Sequence, residues 1–346
     1  MNLLIIGNLG YVGPELIKYL RKNFPSYNLI GYDIGYFQMQ YTTPFIAPEL
    51  LLQKQLYGDI RNFNYDILNN VDAVIQLAAI SNDPIGNKFE APTMDINCHY
   101  AVKIAAEAKK RGVKSFVYAS SCSVYGINEG VAKTEQSEVN PLTAYAKSKI
   151  ETEKELVQFA DDHFHITCLR FATACGMSDR LRLDLVLNDF VANAIVTKKI
   201  EILSDGSPWR PLINVKDMAR AIDWAIHRKN EGGNMLVVNT GSDEWNYQIK
   251  DLAYAVQKII KGVDVEINAN AQPDKRSYKV DFSLFKSLAP NHQPEYNLEK
   301  TIQGLVDGLH AIHFNDSQFR NSNLIRLNVI NTLLNSNVID NNLQFI

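Results

Sequence analysis

Tyr145 and Lys149 stand four residues apart, in Tyr145-Ala146-Lys147-Ser148-Lys149, at the head of a stretch with helical spacing. Residues four apart share a helix face, so that face carries both a phenol and an ammonium. A phenol with a pKa of about 10 is a poor base at neutral pH. A neighbouring cation favours the phenolate and lowers that value, which makes the pair a candidate proton-transfer couple. The same spacing also occurs on ordinary surface helices, so the pair gains its meaning from its company. Part of that company is Ser120-Ser121-Cys122-Ser123-Val124-Tyr125-Gly126, a hydroxyl cluster placed where the apolar run Phe116–Ala119 ends. Another part is Gly7-Asn8-Leu9-Gly10-Tyr11-Val12-Gly13, directly after the run Leu3–Ile6. Glycines at Gly7, Gly10 and Gly13 allow a tight turn and a close backbone approach to a pyrophosphate, whose charge a following helix N-terminus favours. Asp33 closes the second apolar run, 20 residues beyond Gly13, where a carboxylate would hydrogen-bond an adenosine ribose. An acid there repels a 2′-phosphate, which favours NAD over NADP. On its own, Asp33 reads more readily as a turn or helix cap, and only the company of the glycines reverses that.

These groups need a scaffold, and the spacing supplies one. Leu3–Ile6, Leu29–Tyr32, Ala73–Leu77, Phe116–Ala119 and Ile166–Phe171 are short apolar runs bounded by turn or polar residues, the pattern of buried strands. Between them, Val12, Leu16, Ile17 and Leu20 keep helical spacing, as do Ala101, Ile104, Ala105 and Ala108. Strand–helix alternation predicts an α/β fold with a parallel sheet covered on both faces. Open sheets of this kind bind ligands at the carboxyl ends of their strands, the edge where both the glycine loop and the hydroxyl cluster fall. This first domain is expected over residues 1–175. The remainder, 176–346, is less regular, with helices expected around Leu185–Thr197, Val215–His227 and Ile249–Ile260. A helical tail near Asn323–Leu334 should pack on the body, and the second part is interleaved with the first.

Composition excludes several classes. The chain has 346 residues, 46% hydrophobic and 21% charged, with a formal net charge of -3. That apolar content rules out a disordered chain, and the charge gives no electrostatic reason to expect nucleic acid or an anionic membrane as partner. Cys98, Cys122, Cys168 and Cys175 are scattered without metal-ligand or disulfide spacing, so no metal site is expected and a reducing cytoplasm is the expected compartment. No apolar run approaches the roughly 20 residues of a membrane helix.

Taken in order, the glycine loop, Asp33, Gly58-Asp59-Ile60, Leu77-Ala78-Ala79, the Ser-Ser-x-x-Val-Tyr-Gly run and the Tyr145/Lys149 pair form a series. Leu169-Arg170-Phe171 and Trp209-Arg210-Pro211-Leu212-Ile213-Asn214-Val215-Lys216-Asp217 continue it. The chain thereby resembles the extended short-chain dehydrogenase/reductase family, in its nucleotide-sugar epimerase/dehydratase branch. The resemblance implies a Rossmann-type doubly wound parallel sheet holding NAD. It also implies a smaller C-terminal domain holding a nucleoside-diphosphate sugar. It makes Tyr145 the base, has Lys149 orient the nicotinamide ribose and lower the tyrosine pKa, and gives Ser121 the reacting oxygen. Gly7, Gly10, Tyr11, Val12 and Gly13 would cradle the pyrophosphate, Asp59 and Ile60 would meet the adenine, and Ala78 and Ala79 would line the nicotinamide path.

The implied reaction is epimerisation through oxidation of the sugar at C4. Its rivals are a net 4-dehydrogenase or ketoreductase and a silent NAD-binding regulator, the last disfavoured by an intact Tyr145/Lys149 pair. On the sugar-nucleotide side the resemblance points to Arg210, Asn188 and Arg276 as diphosphate contacts, each arginine reading otherwise as a surface ion pair. Thr173 stands where better-known 4-epimerases carry Asn, which puts their particular specificity in doubt. Arg180-Leu181-Arg182-Leu183-Asp184, leading to Asn188-Asp189-Phe190 and later Pro273-Asp274-Lys275-Arg276, is similar to a group containing a GDP-heptose 4-dehydrogenase. Arg180 and Arg182 read equally as structural or solvent-facing. The family's 4,6-dehydratases carry Asp and Glu after the active-site hydroxyl residue. Here those positions are Cys122 and Ser123, so no loss of water from the sugar is expected. In the resembled family a helix corresponding to Met94–Arg111 pairs with the Tyr145 helix across a two-fold axis, which implies a homodimer.

Overall fold

A computed structural model describes residues 1–40, 42, 46–81, 83–127, 130–268, 271 and 277–346. The apolar runs become β1 (Asn2–Ile6), β2 (Asn28–Asp33), β3 (Lys54–Tyr57), β4 (Ala73–Gln76), β5 (Ser115–Ser121) and β6 (His165–Phe171). Then follow β7 (Thr173–Cys175), β8 (Lys199–Ile202), β9 (Trp209–Asn214), β10 (Met235–Thr240), β11 (Asn246–Gln248) and β12 (Asp264–Ile267). The helices of the first half are α1 (Gly13–Asn23), α2 (Asp83–Lys88), α3 (Glu90–Met94), α4 (Tyr100–Lys110) and α5 (Ala144–Leu156). Those of the second are α6 (Val186–Val196), α7 (Val215–His227), α8 (Ile249–Ile259), α9 (Ser283–Leu288), α10 (Leu298–Ala311) and α11 (Arg326–Asn335).

The main sheet has seven strands in the order β10-β6-β5-β4-β1-β2-β3, and every neighbouring pair is parallel. Leu3, Leu4, Ile5 and Ile6 are fully buried, as a strand covered on both faces must be. On one face α1 meets α7, with the Tyr19 hydroxyl donating to Asp223 at 3.0 Å. On the other, α4 contributes Ala101, Ile104 and Ala105 to a buried cluster that also holds Ile330 and Leu343 from the far end of the chain. The chain runs outward from β1 through β2 to β3, then crosses back through β4 to β5 and β6. Connections therefore leave β1 and β4 in opposite directions, and a crevice opens between their carboxyl ends. The register brings those ends level, with Ile6 opposite both Tyr32 and Gln76. Gly7, Asp33 and Leu77 thus begin along one edge. The seventh strand, β10, comes from residues beyond position 175 and is preceded by α7, so the chain re-enters the first sheet after leaving it.

The second unit is built from the three-stranded sheet β11-β9-β7 and the pair β12-β8. Leu187, Val191, Leu252, Val256, Ile302 and Leu305, from α6, α8 and α10, are its fully buried centre. Its mouth faces the carboxyl edge of the main sheet, where β7 and β9 line up Thr173 with Leu212. The four cysteines are buried and free. Among the described residues no helix is long and apolar enough to cross a membrane, and no cluster of His, Cys, Asp and Glu could hold a metal ion.

Candidate active site

A cleft of about 990 Å³ runs along the carboxyl edge of the main sheet. Gly7, Gly10, Tyr11 and Val12 form its floor, with Asp33, Asp59 and Ile60 towards one end and Ala78, Ala79, Ser121, Tyr145 and Lys149 along the rest. Gly7 has φ +89°, and a Cβ there would lie 2.3 Å from the Ala78 amide nitrogen. The ends of β1 and β4 approach too closely for any side chain. Gly13 does not face the cleft. Its absent Cβ lets α1 pack on the loop, where it would otherwise fall 1.9 Å from the Asn8 carbonyl oxygen.

Asp33 ends β2 with its carboxylate on two backbone amides, Leu9 at 2.9 Å and Gly35 at 2.8 Å. Burial pushes its pKa up, and these two bonds oppose the rise. A carboxylate has about four acceptor sites, so capacity is left on the cleft side. Asp59 caps the turn Ile60–Asn62, accepting from the Arg61 amide at 2.8 Å and from its Nε at 3.0 Å. The Ala79–Ile80 loop is clamped by fully buried Asn97, whose carboxamide accepts from the Ile80 amide at 2.7 Å and donates to the Ile80 carbonyl at 3.0 Å. Asn97 lies in a π-helical stretch, Asp95–His99, between α3 and α4, an irregularity frequent at functional sites. Sequence spacing gives no hint of it.

Lys149 is 2% exposed and donates from Nζ to the Ala119 carbonyl at 2.6 Å. Its Nζ lies 5.5 Å from the centre of the Tyr145 ring. Burial lowers the Lys149 pKa to about 7, against the opposing pull of Glu153. Glu153 is itself buried in an ion pair with Arg170, at 3.0 Å to Nε and 2.7 Å to Nη2. Glu153 sits one turn beyond Lys149 on α5, a spacing from which it could have been read. Tyr145 is half-buried near the start of α5, whose cap Thr143 accepts from the Ala146 amide at 3.2 Å. Ser121 Oγ accepts from the Ser123 amide at 3.2 Å. Ser123 lines the cleft, and its buried hydroxyl has no hydrogen-bond partner among the described residues. Cys122 points away: its thiol donates to the Arg170 carbonyl at 3.0 Å, and burial pushes its pKa up.

On the opposite wall, Thr173 and Arg210 line the cleft. Arg210 is 9% exposed, donates to the Trp209 carbonyl at 2.9 Å and lies over the Tyr278 ring at 5.7 Å. Asn188 is fully buried behind the wall. Its carboxamide accepts from the Gly176 amide at 2.9 Å and donates to the Arg182 carbonyl at 2.9 Å and the Tyr11 hydroxyl at 3.2 Å. It thus brackets the glycine loop to the 176–182 segment, and its neighbours Asp189 and Phe190 are the ones that face the cleft. Arg276 and the rest of Pro273-Asp274-Lys275-Arg276 lie outside the described residues. Of the other two arginines, Arg180 is fully buried, donating to the Phe37 carbonyl at 3.3 Å and paired with Glu49. Arg182 lines the cleft, forked onto Asp184 at 3.0 and 2.9 Å and donating to Ser81 Oγ at 3.0 Å.

Residues 3–241 match the model of the NAD dependent epimerase/dehydratase family. The chain belongs to that family. Its cofactor is NAD, and the cleft fits it: a side-chain-free turn at Gly7 and a carboxylate at the tip of β2 share one continuous groove. Among this family member's relatives is an uncharacterized UDP-glucose epimerase, YtcB, of Bacillus subtilis. It is 27% identical over 262 residues, 70% of this chain and 78% of that protein. A UDP-glucose 4-epimerase of Lactobacillus helveticus is 29% identical over 287 residues, covering 77% and 83%. Among solved structures, TunA, an NAD-dependent NDP-hexosamine 5,6-dehydratase involved in tunicamycin biosynthesis, superposes with a TM-score of 0.77. It shares 21% identity over 92% of this chain and 99% of its own.

Arg326 was not foreseen from sequence. It reaches the cleft from the first turn of α11, 3% exposed, with its guanidinium 4.2 Å from the centre of the Phe37 ring. Only the tertiary return of the tail places it there.

Proposed function

We propose that the protein is a nucleoside-diphosphate-sugar epimerase that oxidises the sugar at C4 by way of a keto-sugar. The observation that carries this reading is one groove in which Ser121, Tyr145 and Lys149 stand across from Thr173 and Arg210, beyond the NAD floor. The UDP-glucose 4-epimerase relative supports it. NAD, when bound, would supply the redox chemistry, as acceptor of the hydride from the sugar carbon and as its donor back to the opposite face of the keto-sugar, with Tyr145 returning the proton to the oxygen. Tyr145, as phenolate, takes the proton of the reacting hydroxyl. Lys149, with its Nζ 5.5 Å from the centre of the Tyr145 ring, favours that phenolate when charged. Ser121 holds the oxygen as it becomes a carbonyl, and the Arg210 fork suits the diphosphate oxygens. Asp33, with spare acceptor capacity, suits the two ribose hydroxyls of NAD rather than the 2′-phosphate of NADP.

Elimination of water is not part of this reading. The Cys122 thiol is turned onto a backbone carbonyl and Ser123 offers only a neutral hydroxyl, so the acid/base pair that elimination needs is missing. The similarity of 180–190 to the GDP-heptose group makes GDP- as well as UDP-sugars the candidates. The test is product analysis by mass spectrometry and NMR after incubation with a panel of both. An epimer of unchanged mass, formed by the wild type and abolished in Tyr145→Phe, is expected. A product two hydrogens lighter would instead mark a net dehydrogenase, and one lighter by water would refute the reading of Cys122 and Ser123. We further infer a cytoplasmic homodimer paired through α4 and α5, which light scattering at micromolar concentration would test.

A further inference from the structure

On the reading that Asp33 meets the adenosine ribose of NAD, the adenosine end of the cleft is walled by Tyr36 and Asp59, and neither stands alone. Tyr36 is 8% exposed, and its hydroxyl donates to the Leu343 carbonyl. Arg61, whose guanidinium grips Asp59, donates its Nη2 to the same Leu343 carbonyl at 2.6 Å and its Nη1 to the Asn342 carbonyl. Three donors from the wall thus converge on two consecutive tail carbonyls, two of them from a charged guanidinium, which makes those bonds strong. The tail is anchored rather than draped: Leu343 is fully buried and Ile339 is 2% exposed, in the same cluster as Tyr36, Ile60 and Phe63. Phe345 packs against Tyr36, with ring centres 5.6 Å apart. A second anchor lies at the other end of α11, where Arg326 lies over Phe37 and donates to the Arg180 carbonyl at 3.1 Å.

We propose that the segment 339–345, together with Arg326, is a clasp that backs the adenosine wall of the cleft and sets how slowly NAD leaves it. Of the clasp, Arg326 lines the cleft and segment 339–345 does not. The segment acts through Tyr36 and Arg61, which are positioning residues. Removing the tail carbonyls releases the Arg61 guanidinium to water, loosens Asp59 and lets Tyr36 swing from the wall. A wall free to move lowers the barrier to departure of the adenosine, and affinity changes of this kind appear chiefly in the off-rate.

The test is exchange of bound NAD against excess isotope-labelled NAD, followed by mass spectrometry of the retained nucleotide. Two variants are compared with the full chain: one ending at Asn337, and Tyr36→Phe, which keeps the ring and removes the bond to Leu343. Loss of charge-assisted bonds predicts exchange about tenfold or more faster in the shortened chain, and roughly threefold to tenfold faster in Tyr36→Phe. Thermal unfolding is measured in parallel. A tail that merely stabilises the fold would lower the melting temperature and leave the exchange rate of the folded protein unchanged, and that result overturns the clasp. Should the shortened chain not fold, a wild-type exchange rate in Tyr36→Phe overturns it equally.

Discussion

Lys149 makes the nucleotide-free protein less stable than it need be, and replacing it with methionine should reveal by how much. A methionine of similar length keeps the packing but carries no charge. A fall in pKa from the usual 10.5 to about 7, at about 1.36 kcal/mol per pH unit, means the buried ammonium costs about 4–5 kcal/mol at or below pH 7. The sign follows from proton binding: between pH 7 and 10.5 the unfolded chain holds a proton on this lysine that the folded chain has released. Wild-type stability therefore rises through that window, and the cost vanishes above it. Losing the bond from Nζ to the Ala119 carbonyl returns about 1 kcal/mol. Lys149→Met should thus stabilise the nucleotide-free protein by about 3 kcal/mol at pH 7 and by little or nothing at pH 10.5 and above, while abolishing turnover. Guanidinium unfolding of both proteins at pH 7 and pH 10.5 measures this. A wild type as stable as the variant at pH 7, or a difference that does not shrink as pH rises, would refute the account of Lys149 as a buried, catalytically retained charge.

Two further outcomes follow from the same geometry. Gly7→Ala places a Cβ 2.3 Å from the Ala78 amide at φ +89°; such strain costs about 1–3 kcal/mol or more. The variant should melt lower and copurify without NAD, read by its melting curve and by absorbance of the released nucleotide. If Arg210 holds the diphosphate as proposed, Arg210→Ala, at about 1.5–3 kcal/mol for a charge-assisted bond, should raise KM for the nucleotide sugar roughly tenfold to a hundredfold. NAD affinity by calorimetry should stay the same.

Where sequence and structure agree, the information is local. The run Leu3–Ile6 followed at once by glycine admits little but a buried strand and a tight turn, and a spacing of four puts Tyr145 and Lys149 into the same cleft. β3 is harder to see because it is an edge strand with exposed ends, Lys54 and Tyr57, and is recognised mainly by the Gly58-Asp59-Ile60 that follows. Asn188 shows the limit of residue type as a guide. A polar amide in a motif suggests a ligand contact, yet here its bonds go to Gly176, Arg182 and Tyr11, partners up to 177 positions away. Asn97 depends on a π turn that periodicity does not encode, and Arg326 on a tail folding back over the sheet. Long-range packing decides such placements, and no window of sequence contains it.

The seventh strand also bears on how the chain is made. β6 pairs with β10 along its full length, from Ile166 opposite Met235 to Phe171 opposite Thr240. During synthesis at about 5–20 residues per second, roughly 3–14 s pass between Phe171 and Thr240. Through that interval the nascent sheet presents an apolar edge whose backbone groups have no ladder partner, the kind of template on which a second chain can pair. A fragment stopped near residue 175 keeps that edge permanently. The cofactor-binding half is therefore not a portable module: its β6 edge is paired only once β10, delivered by the other half and itself the outer strand of the finished sheet, has docked along it.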